Sequence, residues 1–160
     1  MRLKNIVAED FCNYKKPSLF IVSAICDWKC CKEQGLDIGV CQNAPLVSQP
    51  TTDISDEDIY KTFHENDITQ AVIIGGLEPM LQIKEVEALI KCFRDRGENC
   101  EFVIYTGYYP NEIADEIRLL SQYENIIIKF GRFMPSSEPV YDGLLGITLV
   151  SNNQFAMRIS

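Results

Sequence analysis

The sequence predicts an α/β fold with a mainly parallel sheet, and three observations predict it. Short apolar runs rich in strand formers alternate with segments whose apolar residues recur at helical spacing. Strands separated by helices imply βαβ units. Right-handed crossovers then carry every strand's C-terminal end to one edge, and the chain's unusual residues all come directly after strand ends.

Leu19-Phe20-Ile21-Val22 reads as the first strand, ending just before Cys26. Residues 31 to 54 show no clear period and contain Gly35, Gly39, Pro45 and Pro50, so they read as a long loop, which in a compact domain is usually functional. Ser55 with Asp58 three residues on marks a helix start, and that helix should run to about Asn66. Ala71-Val72-Ile73-Ile74 is a buried-type strand stopped by Gly75-Gly76. Ile83, Val86, Leu89, Ile90 and Phe93 then recur at helical spacing. Residues 101 to 105 form a third strand, ended by Thr106-Gly107. Residues 111 to 122 form a third helix with Ile113, Ile117 and Leu120 on one face, and 125 to 130 a fourth strand. The stretch after Phe133 is short and carries no evident second domain, so 1–160 is expected to be a single domain.

With 160 residues the chain can bury a core without disulfide staples. Its 46% hydrophobic content excludes a mainly disordered protein. No run approaches the ~18–20 apolar residues that span a bilayer, and the N-terminus lacks an apolar h-region, so the expected compartment is the cytoplasm with no membrane partner. The net charge is −8 and no basic stripe is visible, so no nucleic-acid partner is expected.

The seven cysteines fall at 12, 26, 30, 31, 41, 92 and 100, and four of them lie between 26 and 41. In a reducing compartment such clustering points to metal or redox chemistry rather than disulfides. Cys92 and Cys100 are expected to be structural. Cys26-Asp27-Trp28-Lys29-Cys30-Cys31, with Cys41-Gln42-Asn43 beyond it, is the most informative stretch. Thiolates suit zinc, Cu(I) and iron–sulfur clusters. A [4Fe-4S] cluster held by three thiolates keeps one iron open for a ligand. A structural zinc site is the alternative on spacing alone. Against it, Cys26-x3-Cys30 has no second knuckle to pair with, and the one histidine is His64.

The order of these pieces resembles the radical S-adenosylmethionine superfamily. Within it, the chain is similar to the activating proteins of anaerobic (class III) ribonucleotide reductases over nearly its full length. Asp10-Phe11-Cys12-Asn13 resembles that family's Asp-x-x-Asn. Cys26 and Cys30 match the first two cluster ligands, and Cys41-Gln42-Asn43 resembles Cys-His-Asn. Gly75-Gly76-Leu77-Glu78-Pro79 resembles the segment that binds the methionyl amino group. Tyr105-Thr106-Gly107-Tyr108, Gly131-Arg132-Phe133 and Ser151-Asn152-Asn153-Gln154 have counterparts too. Two departures stand out. The family's C-x3-C-x2-C is here C-x3-C-x10-C, so either the loop carries an insertion before Cys41 or Cys31 has become a ligand. Leu77 occupies the second Gly position of the Gly-Gly-x-Glu-Pro segment.

The resemblance implies a minimal partial (β/α) barrel of radical S-adenosylmethionine type. It implies a [4Fe-4S] cluster on Cys26, Cys30 and Cys41, with Cys41 preferred to Cys31. S-adenosylmethionine would be held near Val40, Gln42, Gly75, Gly76 and Glu78; Val40 replaces the aromatic that commonly precedes the third Cys. The implied partners are the large glycyl-radical subunit of an anaerobic ribonucleotide reductase and a flavodoxin-like or other low-potential electron donor. Another small radical enzyme is the second reading, and a non-catalytic zinc module the third. Lys29, Arg132 and Arg158 are candidates for a ligand carboxylate, with solvated surface the simpler role for each. Trp28 and Tyr108-Tyr109 are open between packing and the active rim, and His64 is expected at the surface.

Overall fold

The computed structural model describes Met1–Ser160. Its frame is a seven-stranded open sheet. The strands are β1 (Arg2–Asp10), β2 (Ser18–Ser23), β3 (Thr52–Asp53), β4 (Ala71–Gly75), β5 (Glu101–Tyr105), β6 (Ile126–Phe130) and, at the far edge, β9 (Phe155–Arg158), in the order β3-β1-β2-β4-β5-β6-β9. The central four, β2-β4-β5-β6, pair in parallel, as the alternation of strand and helix predicts. Antiparallel strands flank them: β1 pairs with β2, β3 with β1, and β9 with β6. The sheet is mixed, mainly parallel and unclosed, in keeping with a partial barrel.

The connecting helices are α2 (Asp56–His64), α3 (Ile83–Arg94) and α4 (Ala114–Leu120). Ser55 caps α2 by accepting a 3.1 Å bond from the Asp58 N–H, and three acids in the first turn suit the helix dipole. The helix stops at His64, two residues short of the expected Asn66. Likewise α4 starts only at Ala114, because Pro110–Glu112 forms a separate 3-10 turn.

Strand side chains alternate between two cores. Val72, Ile74, Phe102, Ile104, Ile126 and Ile128 face the helices, among Ile59, Phe63, Val86, Leu89, Ile90 and Phe93. Ala71, Ile73, Val103 and Ile127 face the other way. That second face is covered by a hairpin of β7 (Val140–Asp142) and β8 (Ile147–Leu149), through Leu145 and Leu149, together with Tyr14. Helices on one face and a hairpin on the other leave the C-terminal ends of the parallel strands open at one rim.

Two expectations need correction. An antiparallel strand, β1, precedes the strand expected to be first. The 31–54 segment is not a structureless loop. It begins in a short helix, α1 (Lys29–Glu33), passes through 3-10 turns at Ile38–Val40 and Ala44–Ser48, and ends in β3. The tail after Phe133, to which the sequence reading assigned no elements, folds into β7, β8 and β9.

Candidate metal and cofactor site

Four loops leave the rim: after β2, toward the cysteines; after β4, at Gly76-Leu77-Glu78; after β5, at Thr106-Gly107; and after β6, at Gly131. They enclose a cavity of about 530 Å³, a volume suited to a nucleoside-sized ligand. Its walls include Cys26, Cys30, Cys31 and Cys41, with Gln42, Gly76, Glu78, Thr106, Gly107, Lys129 and Gln154. The cavity continues beneath the β7–β8 hairpin to Asn5, Cys12 and Asn13. Of the residues expected to hold a cofactor, Gly75 ends β4 beside the cavity, its carbonyl accepting from Ser23 Oγ at 2.9 Å. Val40 lies exposed on the 38–40 turn and outside the cavity wall.

Backbone geometry presents two of the thiols. Trp28 takes a left-handed conformation (φ 62°), which turns the chain so that its N–H donates to Cys26 Sγ at 3.3 Å. The Phe133 N–H is directed at Cys30. Both N–H groups favour a thiolate. Burial opposes it, lifting Cys26 to about 12 and raising Cys30 as well. A bound cation would reverse that balance. Cys30 sits so close to Gly107 that a Cβ there would come within 2.7 Å of the sulfur. Glycine at 107 is therefore a packing requirement, read in the sequence only as part of a motif. The second thiol pair lies on the 31–41 segment: Cys31 is buried and Cys41 half-buried, with the Cys41 N–H donating to Ile38 O at 3.0 Å.

Glu78 is almost fully buried, and its carboxylate accepts from Met80 N (3.1 Å), Thr106 Oγ1 (2.7 Å) and Gly107 N (2.9 Å). Burial dominates nonetheless and pushes its pKa up to about 7. Its own N–H donates to Ile25 O at 2.8 Å, which ties this loop to the cysteine loop. Gly76 has φ +77°, and a Cβ there would lie 2.8 Å from Val22 Cγ1, so the turn after β4 admits no larger residue without strain.

An ion-pair network braces the rim from outside. Arg132 is buried, not solvated. It pairs with Glu33 at 2.9 Å and Glu112 at 2.7 Å, donates to the Gly107 carbonyl, and stacks near Tyr108 and Tyr109. Lys29 reaches Glu112 at 2.7 Å. These cations hold Glu112 down to about 2. Tyr108 donates to Asp27 at 2.7 Å, so Tyr108-Tyr109 belong to this brace. Arg158 lies far from the rim, paired with Glu101 at 2.5 Å. His64 is on the surface beside Glu98.

Sequence reading missed Lys129. It is 7% exposed on β6 and lines the cavity, with one hydrogen bond, to Gly131 O at 3.3 Å. Burial pulls its pKa down to about 8. The available signal was a single charge inside the apolar run Ile126-Ile127-Ile128-Lys129-Phe130, since a lysine on a central strand must face something polar.

No three His, Cys, Asp or Glu side chains converge on one point as ligands of a single ion do. A cubane instead takes one thiolate per iron, from thiols spread around a cavity. Five cysteines line this cavity, and four of them, Cys26, Cys30, Cys31 and Cys41, come from the segment after β2, which fits that demand. The molecule is thus an α/β domain suited to an iron–sulfur centre. The model of the 4Fe-4S single cluster domain matches residues 20–144, and the chain belongs to that family. The domain is typical of radical S-adenosylmethionine enzymes. No curated protein matches the chain, and no helix is long and apolar enough to cross a membrane.

Proposed function

We propose that the protein is a radical S-adenosylmethionine activase that places a glycyl radical on an anaerobic ribonucleotide reductase, using a low-potential donor such as a flavodoxin. One observation carries the reading: a buried acid on the loop after β4, Glu78, shares a cavity with thiols presented after β2. Cys26, Cys30 and Cys41 would hold the cluster, with Cys31 the competing third ligand. When bound, the cluster would supply the single electron for reductive cleavage of S-adenosylmethionine, the chemistry from which the partner's glycyl radical would come.

The chain's own residues bind, orient and shelter. Glu78, fixed by three donors, would receive the methionyl amino group. Gly76 lets backbone approach the ligand without a side chain between. Trp28 and Phe133 form apolar wall beside the cysteines. Hydrogen abstraction requires exclusion of water and stray donors. The cavity is open at the rim, and a docked macromolecule would both present its glycine and close it.

The test mixes reduced, cluster-loaded protein and S-adenosylmethionine with and without the cognate reductase. An electron paramagnetic resonance doublet of a glycyl radical should appear only with the reductase. Deoxyadenosine formed with a small metabolite, and no doublet, would replace this reading with that of a small-molecule radical enzyme.

A further inference from the structure

We infer that the outer face of the 36–50 segment is the docking surface for the electron donor, and that the donor meets it with an acid-rimmed patch of uncharged centre. The inference deepens the proposed function and rests on it. This segment carries the lengthened x10 spacing before Cys41, so its surface is a feature of this chain rather than of the shorter cysteine motif.

The segment has two faces. Cys41, Gln42, Asn43 and Leu46 line the cavity, whereas Ile38, Val40 and Val47 lie outside its wall and are 40% to 47% exposed. One thickness of chain therefore separates a thiol-lined cavity from solvent, and the solvent side is apolar. No charge interrupts it: residues 38 to 52 contain no Asp, Glu, Lys or Arg, in a chain that is 24% charged. Apolar residues scattered singly over a surface need no explanation. Three on one uncharged segment beside a redox site make a surface for a partner to cover.

Charge decides the occupant. The Lys4 ammonium donates to Val47 O (3.1 Å) and Gln49 O (2.8 Å), and Lys32 is exposed on α1, which packs against the 38–40 turn. No carboxylate pairs with either lysine. The adjoining acid, Asp37, is turned inward to accept from Gly39 N at 2.7 Å. The helix layer is the opposite: residues 56 to 67 carry five acids against Lys61 alone. A carrier with an acidic rim is repelled there and by the net charge of −8, and is drawn to the two unanswered lysines. A basic carrier would be steered to α2, none of whose residues reaches the cavity wall. The outer face also stays available when a macromolecule closes the rim. The step it serves moves one electron from the carrier's reduced flavin to the cluster, and no bond forms or breaks.

The experiment uses the full chain carrying its reconstituted cluster. Binding of oxidised flavodoxin is measured by calorimetry for the native protein, Val47→Glu and Lys32→Glu. Bleaching of the cluster by reduced flavodoxin and by dithionite is followed by stopped flow. Val47→Glu should weaken flavodoxin binding roughly 10-fold or more. Lys32→Glu should slow bleaching by flavodoxin about three- to tenfold at low salt, with the difference shrinking above ~0.15 M. Dithionite needs no docking surface and should bleach all three within about twofold of one another. Unchanged flavodoxin binding in Val47→Glu, equal slowing with dithionite, or a native cluster that dithionite reduces and flavodoxin does not, overturns the assignment. If Val47→Glu loses iron, Lys32→Glu is read alone; loss of iron in both gives this face to holding the cluster and overturns the inference. If the native protein takes up no iron, or its reduced cluster yields no deoxyadenosine from S-adenosylmethionine, the underlying reading falls first and this inference with it.

Discussion

The two halves of the cysteine segment are built differently. Residues 26–34 are locked to the rest of the rim. Cys30 abuts Gly107, Gln34 donates to Phe133 O at 2.7 Å, Glu33 pairs with Arg132, and Asp27 accepts from Tyr108. Residues 36–50 are held mainly by their own 3-10 turns. Few tertiary bonds reach them, chiefly from Lys4 Nζ to Val47 O and Gln49 O, and no residue between 36 and 50 is buried. Two thiols are therefore preset by tertiary structure, while Cys41 rides on a locally ordered strap. A cluster bound by all three would couple the strap to the rim, since ligand binding stabilises whatever orders its ligands.

Cysteine substitution tests this most severely. Cys26→Ala and Cys30→Ala should each abolish iron and sulfide uptake, with loss of absorbance near ~400 nm, the broad charge-transfer region of thiolate-bound clusters. Cys41→Ala should do the same, and Cys31→Ala should keep most of the iron. The reverse order for Cys31 and Cys41 would make the buried thiol of α1 the ligand and the strap a cover.

The brace comes next. Arg132→Met leaves Glu33 and Glu112 without their cation and the Gly107 carbonyl without its donor. Both acids are partly exposed, so water recovers some of the loss, and the cost should be ~1–3 kcal/mol. In a domain of this size each 1 kcal/mol moves Tm by ~2–4 °C. Calorimetry should show that drop together with lower iron occupancy. A lower Tm with full iron occupancy would show that the 26–34 half holds its thiols without the brace.

Glu78 predicts a pH effect in cluster-free protein. Burial raises its pKa from 4.5 to about 7. The folded state then binds more protons than the unfolded chain between those values, so this group's contribution falls as pH rises through that window. Native protein should lose more thermal stability between about pH 5 and about pH 7.5 than Glu78→Gln does. An identical pH slope in the variant would mean that the three donors, rather than burial, dominate the site.

Legibility in the sequence tracks the same divide. The four parallel strands and three crossover helices were readable because each buries a face, and burial writes itself as apolar period. Strand β1 was missed because charged and amide residues interrupt its apolar ones, in Arg2-Leu3-Lys4-Asn5-Ile6-Val7-Ala8-Glu9-Asp10, as an antiparallel strand near an edge allows. The 3-10 turns of the strap have no period to read. At the site, cysteines and glycines announce themselves by type. Arg132 does not, because a cation in a loop looks solvated until tertiary structure supplies its surroundings, and Lys129 shows only as one charge inside an apolar strand.

The smallest effect serves as a control for coupling between the helix layer and the rim. Ser55 caps α2 on the far side of β3 from the cysteines, bonding Asp58 through both its backbone N–H and its carboxylate. Removing an N-cap hydroxyl costs ~1 kcal/mol, so Ser55→Ala should lower Tm by ~2–4 °C. Three acids at the start of α2 remain to satisfy the dipole, which keeps the loss at that scale. Iron content and S-adenosylmethionine affinity should not move, because α2 contributes nothing to the cavity wall. However, the strap enters β3 and then Ser55 directly, and Met1 is tied to Ile54 O at 2.5 Å. If Ser55→Ala does lower iron occupancy, the helix start anchors the strap's exit, and Cys41 is placed from its C-terminal side rather than by its own turns.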